Sequence, residues 1–196
     1  KMKHNARVVV IGGGVVGVST LYHLVKKGWT DSVLIERKEL TSGSTWHAAG
    51  LLPLFNMSYS VGQIHKYSVD LYGRLEEETG QYAGLSRVSN IRLATTKDRM
   101  DEYKQYAGVA QTIGVRVDIL TPDEVVDIWP LAVKDNLIGA IRHPMDGYIQ
   151  PAELTQALAK GARDIGGQIY RNTNVTAITR TPSGEWKVTT DKGEII

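Results

Sequence analysis

The 196-residue sequence contains no cysteine. Within it, that excludes disulfides, thiol catalysis and iron–sulfur ligation. It also lacks an excess of either charge: the formal net charge is +2, with basic and acidic residues interspersed. There is no basic run and no cluster of aromatics with arginines, so nothing suits a nucleic acid or another polyanion. The five histidines (His4, His23, His47, His65 and His143) show no metal-ligand spacing. No stretch is long and apolar enough to span a bilayer, since Val8 to Leu21 is short and broken by glycines. No signal or transit peptide precedes the first strand. The expectation is a cytoplasmic protein, or one whose targeting peptide has been removed.

What is present begins at Arg7. Arg7-Val8-Val9-Val10-Ile11 is a β-branched apolar run of the kind that forms a strand buried on both faces. Gly12-Gly13-Gly14-Val15-Val16-Gly17 follows and matches G-x-G-x-x-G. Val18 to Lys27 keeps helical spacing until Gly28, and Ser32 to Glu36 is a second buried strand ending in an acid. Each part has a physical purpose. Gly12 permits a tight turn, Gly14 lets the backbone approach a pyrophosphate, and Gly17 lets helix and strand pack closely. The helix N-terminus offers N–H groups and a positive dipole end. Glu36, 22 residues beyond Gly14, can accept hydrogen bonds from ribose hydroxyls and argues against a 2′-phosphate, hence against NADP. On this unit alone, a soluble NAD-dependent dehydrogenase stays open.

Further along, Ser60 to Thr79 reads as an amphipathic helix whose Glu76-Glu77-Glu78 run is a solvated face. Val88 to Thr95 reads as a strand, and Lys97 to Ile113 as a helix capped by Gly114. Thr121-Pro122-Asp123-Glu124 is a capping box that opens a short helix. Leu137 to Arg142 reads as a strand, and His143 to Tyr148 as a turn. Pro151 starts a helix that Gly166-Gly167 ends, and short strands follow to the last residues. The pattern predicts a nucleotide-binding domain interrupted by part of a substrate or cap domain, with residues 1–82 and 146–196 on either side of 83–145. The final Glu194-Ile195-Ile196 starts a strand that does not finish, which suggests a fragment of a larger protein. Tyr59, His65, Tyr67 and Tyr148 could face a substrate, but packing in a helix or turn suits them better. Arg92 and Arg142 could hold a carboxylate, but nothing in the sequence directs them inward.

The most specific run is Gly43-Ser44-Thr45-Trp46-His47-Ala48-Ala49-Gly50. With the N-terminal unit, Glu36-Arg37, Leu75-Glu76-Glu77-Glu78-Thr79-Gly80, Ile91 to Thr96 and Asp146-Gly147-Tyr148-Ile149-Gln150-Pro151, it resembles the D-amino-acid-oxidase-type FAD oxidoreductases over nearly the whole chain. Among these it looks most like the dimethylglycine and sarcosine dehydrogenases. The resemblance implies an α/β fold: a Rossmann-type FAD-binding domain, with a parallel sheet and flanking helices, interrupted by part of an α+β substrate domain and incomplete at the C-terminus. It implies that His47 carries FAD covalently and that Gly43 to Leu51 wraps the cofactor. It also implies that Val15, Val16, Glu36 and Arg37 contact the nucleotide portion, and that the backbone of Val175 meets its adenine end. Catalytic residues are expected beyond Ile196, as is a tetrahydrofolate-binding region in the full-length protein.

The implied activity is oxidation of a small N-methyl amine, dimethylglycine or sarcosine, at its C–N bond, with an electron-transfer flavoprotein or oxygen as acceptor. Such a protein would be cytoplasmic in a bacterium and in the mitochondrial matrix in a eukaryote. The family also includes non-catalytic regulatory relatives.

Overall fold

The computed structural model describes residues 2–196. The chain runs through β1 (Val8–Ile11), α1 (Val15–Lys26), β2 (Ser32–Ile35), a 3-10 helix (Ser44–His47), β3 (Leu51–Leu52), α2 (Tyr59–Thr79), β4 (Leu85–Arg87) and β5 (Asn90–Ala94). It continues with α3 (Lys97–Ile113), β6 (Asp118–Leu120), α4 (Pro122–Ile128), β7 (Gly139–His143), β8 (Gly147–Ile149) and α5 (Pro151–Asp164). The last strands are β9 (Gln168–Tyr170), β10 (Val175–Arg180), β11 (Trp186–Thr190) and β12 (Gly193–Ile195). These elements form two units. One takes the chain up to Gly50, Arg74–Gly84 and Gln150–Ile196; the other takes Leu51–Gly73 and Leu85–Ile149.

In the first unit β1 pairs in parallel with β2, and β2 with β9, giving the order β1-β2-β9. All four residues of β2 are buried, as a continuous apolar run in a parallel sheet requires. Helices α1 and α5 pack together. Gly161 makes this possible, because a Cβ there would lie 2.7 Å from the Thr79 side chain and 2.8 Å from the Tyr22 ring. The antiparallel strands β10, β11 and β12 bring Val188 and Ile195 into one buried cluster with Val33 and Ile35 of β2. The predicted solvated face Glu76-Glu77-Glu78 is exposed throughout, and Glu78 also ties α2 to α1. Its carboxylate accepts hydrogen bonds from the Tyr22 hydroxyl, from Lys26 Nζ at 2.5 Å and from Arg74 Nε at 2.7 Å.

The second unit holds two three-stranded antiparallel sheets, β3-β8-β4 and β5-β7-β6. Helix α3 starts where the Thr96 hydroxyl accepts the Arg99 N–H and ends at Gly114, which is left-handed at φ +80°. Its buried stripe is Met100, Tyr103, Tyr106, Ala110 and Ile113. The capping box of Thr121 and Glu124 forms as expected. The predicted turn from His143 to Tyr148 is shorter than expected. β7 runs through His143, and Gly147–Ile149 is the central strand β8. The glycine there serves strand packing, since a Cβ on Gly147 would sit 2.0 Å from the Ser86 carbonyl oxygen.

The loop after β3 is fixed by side chains rather than by a sheet. The Leu54 N–H donates to Asp146 Oδ1 at 3.0 Å, and its carbonyl accepts the Tyr106 hydroxyl at 2.9 Å. His143 Nε2 lies 3.3 Å from that hydroxyl. Phe55 packs against Tyr103, Tyr106 and His143, with the Arg92 guanidinium 4.5 Å from its ring centre. His143 and Asp146 are both buried, and His143 Nδ1, Asp146 Oδ2 and Arg92 Nε have no hydrogen-bond partner among the described residues.

This burial sets two opposing pH dependences. Desolvation pushes Asp146 up to about 6, against the Leu54 N–H and the Arg92 charge, which favour its ionised form. Desolvation and the Arg92 charge together push His143 down to about 4. Keeping Asp146 protonated in the fold makes its contribution to stability fall as pH rises from about 4 to 6. Keeping His143 neutral makes its contribution fall as pH drops from about 6.5 to 4. Each amounts to a few kcal/mol at roughly 1.4 kcal/mol per pH unit, and the two slopes oppose each other. Asp146→Asn should therefore unmask a denaturation midpoint that falls with acidification below pH 6.5. His143→Asn should unmask the opposite slope. Denaturant titrations across pH 4–7 check this, and unchanged slopes in both variants would contradict it.

Candidate functional site

The glycine turn joins β1 to α1. Gly12 has φ +114°, a conformation L side chains rarely adopt. A Cβ on Gly17 would lie 2.0 Å from the Gly12 carbonyl oxygen, a backbone clash that nothing flexible can relieve. Gly14 is the extended N-cap of α1 and supplies no capping side chain, and the first turn holds no acid. The positive end of the helix dipole is therefore left for an anion.

The missing cap comes from 30 residues away. Thr45 Oγ1 accepts the Val15 N–H at 2.9 Å, and the Thr41 N–H donates to the Gly13 carbonyl at 3.0 Å. Thr45 is the one buried residue of Gly43–Leu51; its neighbours Ser44, Trp46, His47, Ala48 and Ala49 are exposed. His47 ends the 3-10 helix. Its Nδ1 is 3.1 Å from the Gly43 carbonyl oxygen, and its ring lies 4.2 Å from that of Trp46, centre to centre. With Nδ1 donating to that carbonyl, Nε2 keeps its lone pair. Gly50 turns the chain at φ +73°, and Leu51 pairs with Tyr148 in the second unit.

Glu36 does more than end a strand. Its Oε2 accepts the Gly13 N–H and its Oε1 the Lys38 N–H, both at 2.7 Å. Each oxygen still has a lone pair for a ribose hydroxyl. Gly12, Glu36, Arg37 and Val175 converge with Ile11, Ile35, Thr173 and Asn174 on one groove of about 300 Å³. That groove brings together residues as far apart in sequence as Gly12 and Val175. The Val16 side chain is exposed at the start of α1. A larger hollow of about 690 Å³ lies along β1 and the β10–β11 hairpin, but it lacks convergent polar groups beyond Asn5, Arg7 and Glu185.

A dinucleotide fits these features. The bare glycine turn, a helix end without an acid, the Glu36 carboxylate and a groove continuing to Val175 lie at the C-terminal ends of the parallel strands β1 and β2. No His, Asp or Glu cluster suited to a metal occurs among the described residues, and no helix there is long and apolar enough to cross a membrane.

Sequence reasoning missed two features. Thr45 was read as part of a cofactor loop, not as the cap of α1, because donor and acceptor are far apart in the chain. His65, read as packing, has a buried Nδ1 without a hydrogen-bond partner among the described residues. The one available signal was its place in an α2 stripe with Ser68 and Tyr72. Arg92 lies against Phe55, while Arg142 lines a shallow groove with Asp118, Glu124 and Asp127.

Removing the Thr45 hydroxyl should cost about 1 kcal/mol, the size of a lost helix cap. Equilibrium unfolding should show that loss in Thr45→Val and less than half of it in Thr45→Ser, which keeps the acceptor. Equal losses in the two variants would contradict the cap.

Comparison with known proteins places these features in a family. Residues 7–196 match the family model "FAD dependent oxidoreductase". The chain is 44% identical over 193 residues to mitochondrial dimethylglycine dehydrogenase of Rattus norvegicus, covering 98% of this chain and 22% of that protein. It is 40% identical over 174 residues to mitochondrial sarcosine dehydrogenase of Homo sapiens, covering 88% of this chain and 19% of that one. It is also 38% identical over 190 residues to the mitochondrial pyruvate dehydrogenase phosphatase regulatory subunit of Mus musculus, covering 97% and 22%. Among solved structures, L-proline dehydrogenase from P. horikoshii superposes with a TM-score of 0.88 at 28% identity, covering 99% of this chain and 51% of that one. The chain thus spans about a fifth of the length of these curated relatives. It belongs to the D-amino-acid-oxidase-type family of FAD-dependent oxidoreductases.

Proposed function

We propose that this chain is the FAD-holding part of an oxidoreductase acting on a small N-methylated amine of the glycine type, dimethylglycine or sarcosine, with FAD bonded to His47. The observation that carries the reading is the loop tether. Thr45 fixes the 3-10 helix to the first turn of α1, and at its end the Nδ1 contact to Gly43 leaves His47 Nε2 exposed with a free lone pair. Gly12, Gly14, Val15, Val16 and Gly17 would hold the pyrophosphate. Glu36 and Arg37 would hold the ribose and adenine side, with Val175 at its end. Gly43, Ser44, Trp46, Ala48, Ala49, Gly50 and Leu51 would wrap the flavin.

FAD held by these residues would supply the two-electron oxidation of an N–CH₃ carbon to the iminium level, with water or tetrahydrofolate taking up the one-carbon unit. This chain's residues contribute tethering, orientation and the helix-end field that favours the pyrophosphate. Electrons would leave to an electron-transfer flavoprotein or oxygen. The likeness to dimethylglycine and sarcosine dehydrogenases supports an N-methyl amine, and the family match displaces the NAD-dependent alternative.

A second reading, a non-catalytic regulatory relative, draws on the likeness to the phosphatase regulatory subunit. Its expected signature is a full-length protein whose flavin is never reduced by amines.

The test uses the full-length protein that carries this segment. After denaturation in acid, flavin fluorescence should stay with the polypeptide on a gel. His47→Ala should release it, while flavin bound before denaturation falls by less than half. A native protein without flavin, or fluorescence persisting in His47→Ala, would overturn the assignment.

A further inference from the structure

One hydrogen bond ties the 3-10 helix that carries His47 to the rest of its unit. From Gly43 to Ala49 the other bonds among the described residues stay inside the loop: the Ala48 N–H donates to the Thr45 carbonyl at 3.2 Å, and His47 Nδ1 lies 3.1 Å from the Gly43 carbonyl oxygen. The bond that leaves the loop runs from the Val15 N–H to Thr45 Oγ1 at 2.9 Å. Thr45 is the buried residue of this helix, while His47 is exposed. Packing of the helix against α5 adds contact but no direction.

Val15 opens α1, whose first turn would hold the pyrophosphate. The Thr45 bond therefore fixes His47, two residues on, relative to the same turn that would fix the cofactor. Joining two groups held in one frame is effectively an intramolecular reaction, and a misplacement of about 1 Å can cost roughly a hundredfold in rate. Holding the cofactor is less demanding. That task is spread over the glycine turn and the groove from Glu36 to Val175, so no single loop contact decides it.

We propose that Thr45 is the positioning residue for the bond between His47 and FAD: its hydroxyl sets how fast that bond forms, not how tightly FAD is held. The proposal rests on the function stated above and names what governs its covalent step. In that step one C–H bond of a flavin methyl group is exchanged for a C–N bond to His47 Nε2. The methyl carbon and the imidazole each give up a proton, and the two electrons released reduce dioxygen to hydrogen peroxide.

The test uses the full-length protein, purified without flavin from riboflavin-limited cells and mixed with saturating FAD in air. Samples denatured in acid over time give the rate at which flavin becomes fixed to the polypeptide. Thr45→Val keeps the shape and removes the acceptor, and should slow attachment at least tenfold. Val15→Pro removes the donor instead. Proline suits a first helical position after an extended residue, as Gly14 is at φ −78° and ψ 175°, and this variant should be slowed as much. Thr45→Ser, which restores the acceptor, should stay within threefold of wild type. So should Thr96→Val, which deletes the N-cap hydroxyl of α3 and so loses a helix cap away from the loop. In a His47→Ala background, where no bond forms, Thr45→Val should change the Kd for FAD less than threefold.

Attachment within threefold of the wild-type rate in either Thr45→Val or Val15→Pro would overturn the proposal and leave His47 as the attachment point. Equal slowing in Thr96→Val, or a tenfold loss of FAD affinity in Thr45→Val, would overturn it too. The predicted pattern in a protein that oxidises no amine would leave the proposal standing and remove the amine reading. A wild type that binds FAD but never keeps it through acid would overturn both the His47 bond and this proposal.

Discussion

One hydrogen bond organises the cofactor side of this chain: the Thr45 hydroxyl accepting the Val15 N–H. The first turn of α1 has backbone donors and no capping side chain of its own, since its N-cap is Gly14, where a Cβ would lie 2.9 Å from Thr45 Oγ1. A threonine from the next loop fills that gap. In doing so it fixes the 3-10 helix that carries His47, so the residue that completes a helix cap also sets the position of the flavin-attaching candidate. Glu36 works alongside it, accepting the Gly13 N–H in the same turn.

The second unit uses the same device. Leu54 has both backbone groups bonded to side chains, Asp146 and Tyr106, which come from distant parts of the chain. Burying a carboxylate and an imidazole beside Arg92 for this purpose is costly, and the opposing titrations of Asp146 and His143 follow from that burial. The segment so fixed continues from β3, whose residues with Pro53 wall a small hollow against α2.

Local signals made much of this legible in the sequence. The glycine turn, buried β2, the Thr121 capping box and the Gly114 stop each depend on residues within a few positions of one another. The features that escaped depend on long-range pairs. Thr45 reaches Val15, Asp146 reaches Leu54, and Glu78 meets Lys26 and Tyr22, and no periodicity announces such contacts. Asp146-Gly147 carries turn chemistry in the sequence, whereas this glycine lies in β8 and answers to the approach of Ser86. His65 was read as packing because a histidine in an amphipathic stripe usually is, and only its unpartnered nitrogen marks it out.

The central claim is that His47 is the bond to FAD, and peptide mapping tests it most directly. Trypsin should release Glu39–Lys66 from the full-length flavoprotein, a peptide that contains two histidines, His47 and His65. The account predicts that this peptide absorbs as flavin, carries the flavin mass, and fragments with that mass on His47. An unmodified peptide, or the mass on His65, would contradict it.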